Sequence, residues 1–308
     1  MAATRDAFGH GVMELAQNDP RIYVVDCDIS KSMKTVEFSR KFPQQHINVG
    51  IAEQNGAGVC AGLATLGNIP FLSTYAVFAS MRACEQVRTS ICYPHLNVKL
   101  ACSHGGLTPA NDGATHQAIE DVAIMRALPG MTVVMGADYH SAKALTKAAA
   151  YYDGPVYLRY TRDSVPDFYG PDETFEIGKG KLLRSGGAVT VVCFGELLHE
   201  ALAAAQQLQA EGIAVDLIDM HTVKPLDTAL LRESISRTGR CVTVEDHNVI
   251  GGLGSAVGEW MAENQCGRLI RIGLQDRFGQ SGPYETLLKT YGMDRCAIAD
   301  AVRRLAAE

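Results

Sequence analysis

Apolar and polar residues recur along the chain with two different spacings, one typical of strands and one of helices. Short runs rich in β-branched residues alternate with helical stretches, which is the pattern of parallel βαβ units. In the first half, six strands are predicted, at residues 22–25, 46–49, 69–74, 98–102, 131–135 and 156–160. Helices are predicted between them, for instance where apolar residues occupy positions 8, 12, 15 and 16 and where alanine is frequent, at 142–151.

The alternation lapses between about residues 163 and 187, where prolines and glycines are frequent. It resumes with strands predicted at 189–194, 214–218, 241–244 and 269–272, and with an alanine-rich helix at 196–211. We therefore predict two α/β domains, each a mostly parallel sheet flanked by helices. The predicted bounds are 1–165 for the first domain, 166–187 for a linker and 188–308 for the second domain.

Composition and charge exclude several classes of function. Apolar residues make up 47% of the chain and charged residues 20%, as in proteins that bury large cores. No uninterrupted apolar stretch reaches the ~18 residues of a membrane span. The net charge is −6 and the basic residues are scattered, which argues against a nucleic-acid partner but leaves room for a small anion held by one or two arginines.

The nine cysteines never form a C-x-x-C pair and mostly stand in apolar runs. They indicate reduced core residues rather than disulfides, with a zinc site as the minor alternative. Charged residues occur near the start of the sequence, at Arg5 and Asp6, and no apolar segment typical of a secretory signal is present there. We therefore expect a cytoplasmic protein without a membrane partner.

Glu53 is the most informative single residue. It follows a predicted strand and a glycine, and it precedes a run at 55–66 that is too apolar for a surface. Ligands of parallel α/β sheets bind beyond the carboxyl ends of the strands, which makes this carboxylate a candidate functional residue. An unpaired buried charge is costly, so Glu53 needs a partner. The segment alone leaves open that Glu53 caps its own helix or pairs with a neighbouring arginine.

Two segments resemble the thiamine-diphosphate site of transketolases and deoxyxylulose-phosphate synthases. Gly-Ile-Ala-Glu-Gln-Asn at 50–55 resembles the family's glutamate motif, which implies that Glu53 is catalytic and hydrogen-bonds N1′ of the cofactor's aminopyrimidine. Ser-Thr-Tyr-Ala-Val-Phe at 73–78 is similar to the segment whose aromatic rings pack against that pyrimidine, here Tyr75 and Phe78. The usual transketolase has a further tyrosine where this chain has Met81. Ordinary core packing is the alternative for the two rings.

The glycine-rich segment 103–117 resembles the transketolase loop that faces the substrate. In that loop an aspartate follows the first histidine by eight positions and a second histidine follows by twelve, which here gives His104, Asp112 and His116. The resemblance implies that Asp112 contacts a sugar hydroxyl. It implies that the two catalytic histidines hydrogen-bond or relay protons at the reacting ketose oxygens. Metal ligation by the three residues is the alternative.

Four further residues resemble family residues around the substrate and the cofactor. Arg5 and Arg162 resemble arginines that hold the phosphate of the sugar, and Ser32 resembles a serine beside them. Arginine suits this role because its planar fork stays charged and bonds phosphate bidentately. Asp28 matches an aspartate near the thiazolium ring. Taken singly, each arginine is more often an ordinary surface residue.

The second half resembles the transketolase C-terminal domain, which in that family lies away from the chemistry. Lys-Pro-Leu-Asp at 224–227 carries part of this resemblance. The glycines at 251–254, after Val-Glu-Asp-His at 244–247, fit a tight turn before a helix better than a phosphate loop. No Gly-Asp-Gly run, with which the family binds Mg²⁺ and diphosphate, occurs in the sequence. The resemblance thus implies an N-terminal partner subunit that supplies the Mg²⁺ site, in an α2β2 assembly.

These resemblances predict the second subunit of a split bacterial-type transketolase, which transfers a two-carbon ketol unit between sugar phosphates. The first alternative is a β subunit of a 2-oxoacid dehydrogenase or a deoxyxylulose-phosphate-synthase-like enzyme, which would use the same Glu53. Asp112 and the run Thr-His-Gln at 115–117 favour the ketose. The second alternative is a non-catalytic stabilising subunit, which would not need the full set of motif residues.

Overall fold

The computed structural model describes residues 1–307. Its helices are α1 Thr4–Asn18, α2 Ser30–Met33, α3 Val36–Lys41, α4 Glu53–Thr65, α5 Cys84–Gln86, α6 Asp121–Ala127, α7 Tyr139–Ala150, α8 Leu198–Ala210, α9 Thr228–Thr238, α10 Leu253–Glu263, α11 Tyr284–Tyr291 and α12 Arg295–Ala306. Its strands are β1 Ala2–Ala3, β2 Ile22–Asp26, β3 His46–Asn48, β4 Ile69–Tyr75, β5 Lys99–Ser103, β6 Thr132–Met135, β7 Val156–Arg159, β8 Ser164–Val165, β9 Lys181–Arg184, β10 Thr190–Cys193, β11 Asp216–Asp219, β12 Thr222–Lys224, β13 Arg240–Asn248 and β14 Arg268–Leu274.

The first domain contains a seven-stranded sheet in the order β12-β6-β7-β5-β4-β2-β3. All six strands predicted in the first half are present and run parallel to one another. The side chains of the inner strands are almost entirely buried, as expected of a parallel sheet covered on both faces by helices, whereas those of the edge strand β3 are partly exposed. The predicted fold class is confirmed for this half.

The seventh strand of this sheet comes from the second half of the chain, which the sequence pattern did not predict. Strand β12 pairs antiparallel with β6, with Thr222 opposite Val134. Lys224 fastens the same edge, because its Nζ donates to the carbonyl oxygens of Arg126 at 2.9 Å and Leu128 at 2.6 Å. The two halves are therefore joined by backbone pairing as well as by packing.

The second domain contains a five-stranded sheet in the order β14-β13-β10-β11-β9, parallel except for β9. Strand β9 lies in the stretch expected to be a linker, where it pairs with β11 at the edge of the sheet. A strand of four residues beside proline and glycine gives too weak a period to be predicted. The predicted domain bounds themselves stay a prediction.

Gly251 and Gly252 form a turn directly before α10, as predicted, and the start of that helix already has a hydrogen-bond acceptor. The buried Glu245 carboxylate accepts hydrogen bonds from the backbone N–H groups of Leu253 at 2.6 Å and Gly254 at 2.8 Å. A carboxylate in this place meets the partial positive charge of the helix start. Because Glu245 occupies these donors, the turn offers no phosphate cradle.

Buried apolar side chains of both sheets belong to shared clusters, for example Phe71 with Val191. Strand β13 loses its regular register with β14 between Val244 and Asn248, in the buried region between the domains. Among the residues that the structure describes, no helix is long and apolar enough to cross a membrane.

Candidate active site

Most of the predicted site residues meet at one edge of the first sheet. Strands β2, β4, β5 and β7 are parallel, so their carboxyl ends share that edge. An open cleft of about 530 Å³ lies there. Seven of the predicted residues line it, together with Ile29, Lys31 and Lys34: Arg5, Asp28, Ser32, Tyr75, His104, Asp112 and Arg162.

One end of the cleft is positively charged. Arg5, in the first turn of α1, donates from Nη1 to Ser32 Oγ at 3.0 Å, while its buried Nε has no hydrogen-bond partner. Burial lowers the pKa of Arg5, and the nearby Arg162 lowers it further, against the raising effect of Asp6. An arginine nitrogen that is buried and unpaired is a free donor for an anion.

Arg162 is already held by two carboxylates. Its Nε lies 3.1 Å from Asp112 Oδ2, and its Nη1 donates to Asp163 Oδ1 at 3.0 Å. The guanidinium therefore connects the charged end of the cleft to the segment that carries the predicted histidines. Residues 104–117 of that segment are called the histidine loop below.

His104 is buried and its ring is neutral at neutral pH. Burial is the main reason that its pKa falls to about 3, with further lowering by Arg5, Arg162 and His116. Its Nδ1 is 2.8 Å from Ser103 Oγ, and its Nε2 is 3.9 Å from Asp112 Oδ2. Since the ring is neutral and the second distance is long, this contact with Asp112 is not an ion pair. His104 can thus accept or donate a hydrogen bond without bringing a charge.

Four rings cluster beside the cleft. The rings of Tyr75 and His104 are tilted by 33° with their centroids 3.9 Å apart, and the centroids of Tyr75 and Phe78 are 5.9 Å apart. His116 approaches both aromatic residues edge-on, at 6.0 Å from Tyr75 and 5.7 Å from Phe78. The rings predicted to flank a pyrimidine are therefore in contact with the two predicted histidines.

Glu53 lies outside this cleft, on the other side of Phe78. Its side chain is 2% exposed and forms an ion pair of 2.7 Å with Arg82 Nη1. The Arg82 guanidinium also covers the Phe78 ring, 4.3 Å from its centroid. No side chain caps α4, so Glu53 is not an N-cap residue, whereas the neighbouring arginine considered above is present.

The helix that follows Glu53 is buried on one side only. Gly56, Ala57 and Cys60 are buried, as the apolar run predicted. The opposite face is open, since Gly62 has nothing within 4 Å of where a Cβ would stand and Leu66 is 79% exposed. The prediction that the whole run avoids the surface is wrong for this single chain.

The metal alternative finds no support in the part of the chain that the structure describes. No three His, Cys, Asp or Glu residues are grouped there so as to hold a metal ion. His104, Asp112 and His116 are instead distributed between the aromatic cluster and Arg162.

Sequence reasoning missed a set of buried charged residues behind the histidine loop. Arg159 donates from Nε to Asp121 Oδ2 at 2.8 Å and from Nη2 to the carbonyl oxygen of Asp246 at 2.9 Å. The Asp246 side chain in turn accepts from the backbone N–H of Leu107. The signal available was the run Glu-Asp-His at 245–247, three titratable residues directly after an apolar strand.

Comparison with known proteins agrees with this architecture. The description "Transketolase, pyrimidine binding domain" matches residues 1–167, and "Transketolase, C-terminal domain" matches residues 178–298. The chain therefore belongs to the transketolase family. That family depends on thiamine diphosphate. The predicted class, a transketolase-type transferase subunit, is confirmed.

Several of the similar proteins are named as parts of divided transketolases. A putative transketolase C-terminal section of Methanocaldococcus jannaschii is 44% identical, over 97% of this chain and 94% of that protein. A 6-deoxy-6-sulfo-D-fructose transketolase subunit of a Clostridium species is 40% identical, over 98% of this chain and 94% of that protein. A solved structure described as a split gene transketolase, inactive beta4 tetramer, is 47% identical with a TM-score of 0.91, over 99% of this chain and 98% of that chain.

Proposed function

We propose that this chain is the second subunit of a two-chain transketolase that moves a two-carbon ketol unit between sugar phosphates. The observation that carries the proposal is the grouping of a buried carboxylate, two aromatic rings and two histidines next to a cleft whose far end is positively charged. A carboxylate and aromatic rings suit a heterocyclic cofactor, and the arginines suit the anionic tail of a sugar.

The side chains present fit the pyrimidine half of thiamine diphosphate. Glu53 is a nearly inaccessible carboxylate whose ion-pair partner is 44% exposed, so the partner can move aside. We assign Glu53 to the cofactor's pyrimidine nitrogen, Tyr75 and Phe78 to its ring faces, and Asp28 to the thiazolium side. When bound, the cofactor supplies carbanion chemistry. We assign Mg²⁺ and the diphosphate to the partner chain, since no Gly-Asp-Gly run occurs in this sequence.

We assign different residues of the cleft to different parts of the substrate. The neutral His104 ring can hydrogen-bond a ketose oxygen and pass a proton without adding positive charge. His116 reaches the same side of the aromatic cluster, where we assign it the second proton transfer. Asp112 is the acceptor for a sugar hydroxyl, and Arg5, Ser32 and Arg162 form the site for the distal anion.

The charged donors of the cleft suit the anionic group of a sugar phosphate, and they do not distinguish a phosphate from a sulfonate. One relative is named for a sulfonated fructose, and a sulfonate would need the same charged donors. A 2-oxoacid substrate has no sugar hydroxyl that could donate a hydrogen bond to Asp112. The dehydrogenase alternative therefore gives Asp112 no role in binding the substrate. A purely stabilising subunit would leave the unpaired Arg5 Nε unexplained.

We propose an α2β2 assembly with an N-terminal subunit of the transketolase type. The open face of α4 supports it, because large apolar side chains are exposed at both ends of the helix: Ile51, two residues before Glu53, is 75% exposed, and Leu66, at the C-terminal end, is 79% exposed. Large apolar side chains exposed next to a site mark a surface that another chain covers. All nine cysteines are free and six are buried, which supports the cytoplasmic location that we expect.

The test is reconstitution from separately purified chains. This chain alone should show no transketolase activity and little binding of thiamine diphosphate by calorimetry. Both should appear when the N-terminal chain and Mg²⁺ are added. Leu66→Asp should abolish this gain because it places a charge on the open face of α4, while Leu182→Asp, at the edge of the second sheet, should preserve it. Robust turnover by this chain alone would contradict the proposal.

A further inference from the structure

The histidine loop rests on a carboxylate from the other domain. Asp246 lies in the irregular part of β13, and its side chain is fully buried. The backbone N–H of Leu107 points between its two oxygens, at 3.0 Å from Oδ1 and 2.9 Å from Oδ2. Hydrogen bonds to an ionised acceptor are stronger than those between neutral groups. This contact is therefore a firm attachment of the loop.

Gly106 shows how closely the loop backbone lies on that carboxylate. A Cβ at this position would stand 2.3 Å from the Asp246 carboxyl carbon, and the φ of +60° also favours glycine. Close to the same contact, Arg159 Nη2 donates to the carbonyl oxygens of Asp246 and of Ala118, both at 2.9 Å. The same arginine therefore holds the backbone of Asp246 and the backbone of Ala118, which directly follows the loop.

A second segment of the same domain supports the far part of the loop. Gln117 donates from Nε2 to the carbonyl oxygen of Gln280 at 3.0 Å. Gly113 turns with φ +79°, and a Cβ there would stand 2.5 Å from Ser281 Oγ. The loop is therefore backed by the second domain at its beginning and at its end, although no residue of that domain lines the cleft.

A second buried carboxyl group stands next to Asp246. Glu196 is 1% exposed, its Oε2 has no hydrogen-bond partner, and Tyr284 OH lies between the two side chains, 3.0 Å from Asp246 Oδ2 and 3.5 Å from Glu196 Oε1. Burial raises the pKa of Glu196 well above its usual range, and the charge of Asp246 raises it further. Burial raises the pKa of Asp246 as well, against the lowering effect of Arg159.

Two adjacent buried carboxyl groups oppose each other's ionisation, so Glu196 keeps its proton more readily than an ordinary glutamate. Arg159 lies nearby and lowers the pKa of Asp246, although its guanidinium is also paired with the buried Asp121 at 2.8 Å. With the proton on Glu196, that residue donates to Asp246 and leaves the Asp246 charge directed at Leu107.

We propose that the Glu196–Asp246 pair is a positioning element for catalysis, which fixes the histidine loop so that His104 and Asp112 meet the substrate in the reactive geometry. The proposal rests on the proposed function for its catalytic part. A displacement of a reacting group by ~1 Å costs about a hundredfold in rate, so a small shift of the histidine loop is enough to slow the reaction. The domain remote from the chemistry thereby contributes to it through the loop.

The test combines amide hydrogen exchange of the full chain with kinetics of the reconstituted two-chain enzyme. Asp246→Leu and Glu196→Leu should speed exchange in residues 104–117 by at least about tenfold, which corresponds to ~1.4 kcal/mol of lost attachment. They should lower kcat by about a hundredfold and change KM little. Glu196→Gln should restore most of what Glu196→Leu loses, because the amide donates to Asp246 as the protonated carboxyl does.

Asp216→Leu is the matched control, because Asp216 is a buried carboxylate of the same domain that contacts Gly186 and Ser234 rather than the loop. It should lower the melting temperature without altering exchange in the loop. If Asp246→Leu fails to fold, Gly106→Ala tests the same contact from the loop side, with Gly170→Ala, which meets nothing within 4 Å, as its control.

Unchanged exchange in residues 104–117, or equal acceleration in Asp216→Leu, would overturn the proposal. So would a loosened loop with undiminished kcat. If the unsubstituted two-chain enzyme lacks transketolase activity, the proposed function fails. Faster exchange in the histidine loop of Asp246→Leu would still show that Asp246 holds this loop. The two failures are thus distinguishable.

Discussion

Glu53 and Arg82 form an ion pair of 2.7 Å between one side chain that is 2% exposed and another that is 44% exposed. The carboxylate is fixed at the start of α4, while the guanidinium reaches it across Phe78 from the solvent side. A charge as deeply buried as Glu53 needs a counter-charge, and Arg82 supplies it in the chain by itself. The pair therefore fits a structural role for Glu53. It also fits a cofactor site from which the Arg82 side chain moves aside.

Replacing each member of this pair separates the two roles. Glu53→Gln should slow hydrogen–deuterium exchange at C2 of thiamine diphosphate in the two-chain complex by at least the ~10²–10⁴-fold typical of a positioned acid–base group. Arg82→Gln breaks the same ion pair from the other side, and it should leave most of that exchange intact. NMR of the cofactor proton is the measurement. Equal losses in both variants would mean that Glu53 serves only to pair with Arg82.

Arg162 should recognise the distal anion and not the reacting carbon. Removing a charged hydrogen-bond partner costs about 1.5–3 kcal/mol, so Arg162→Ala should lower kcat/KM about ten- to a hundredfold with phosphorylated acceptors. Glycolaldehyde has no anion to hold, and its rate should barely change. Part of the loss can fall on kcat, because remote binding energy also serves orientation.

Asp112→Ala provides the comparison, because Asp112 contacts Arg162 but is assigned to a sugar hydroxyl near the reaction. It should slow turnover of phosphorylated acceptors and of glycolaldehyde alike. Steady-state kinetics of both variants on both acceptors decide the matter. If Arg162→Ala harms the two acceptors equally, Arg162 orders the loop through Asp112 and is not the anion site.

His104 should make the protein less stable as the pH falls. Its pKa is about 3 in the folded chain, mainly because of burial and then because of Arg5 and Arg162. An unfolded histidine has a pKa of about 6.5, so the unfolded state binds the proton first, and stability falls from about pH 6.5 down to the folded pKa. Between pH 7 and pH 5 this contributes a loss of about 2 kcal/mol.

Urea denaturation of the isolated chain at the two pH values measures this loss. His104→Gln removes the titrating group while keeping a polar side chain of similar size. The variant should lose about 2 kcal/mol less than the unsubstituted chain between pH 7 and pH 5. Parallel pH dependence of the two proteins would show that the His104 ring is not held neutral in the fold.

Local sequence patterns were sufficient for six of the seven strands of the first sheet and for most of the cleft. Runs of buried β-branched residues mark parallel strands because both of their faces are covered, and six strands were found in this way. The cleft followed from motif spacing, since residues after neighbouring parallel strands meet at one edge, as Tyr75 and His104 do at 3.9 Å. The roles of these residues stay predictions.

Periodicity reports which faces of an element are buried, but it does not report what covers them. For this reason the sequence determined the fold class, the family and the candidate residues. No sequence pattern predicted that β12 pairs with β6 in the first sheet. The same holds for Asp246 and Leu107, which are 139 positions apart and meet only because two domains pack together. A buried run of charged residues such as 245–247 signals that partners exist, and only the tertiary structure decides that these partners hold the loop that carries the histidines.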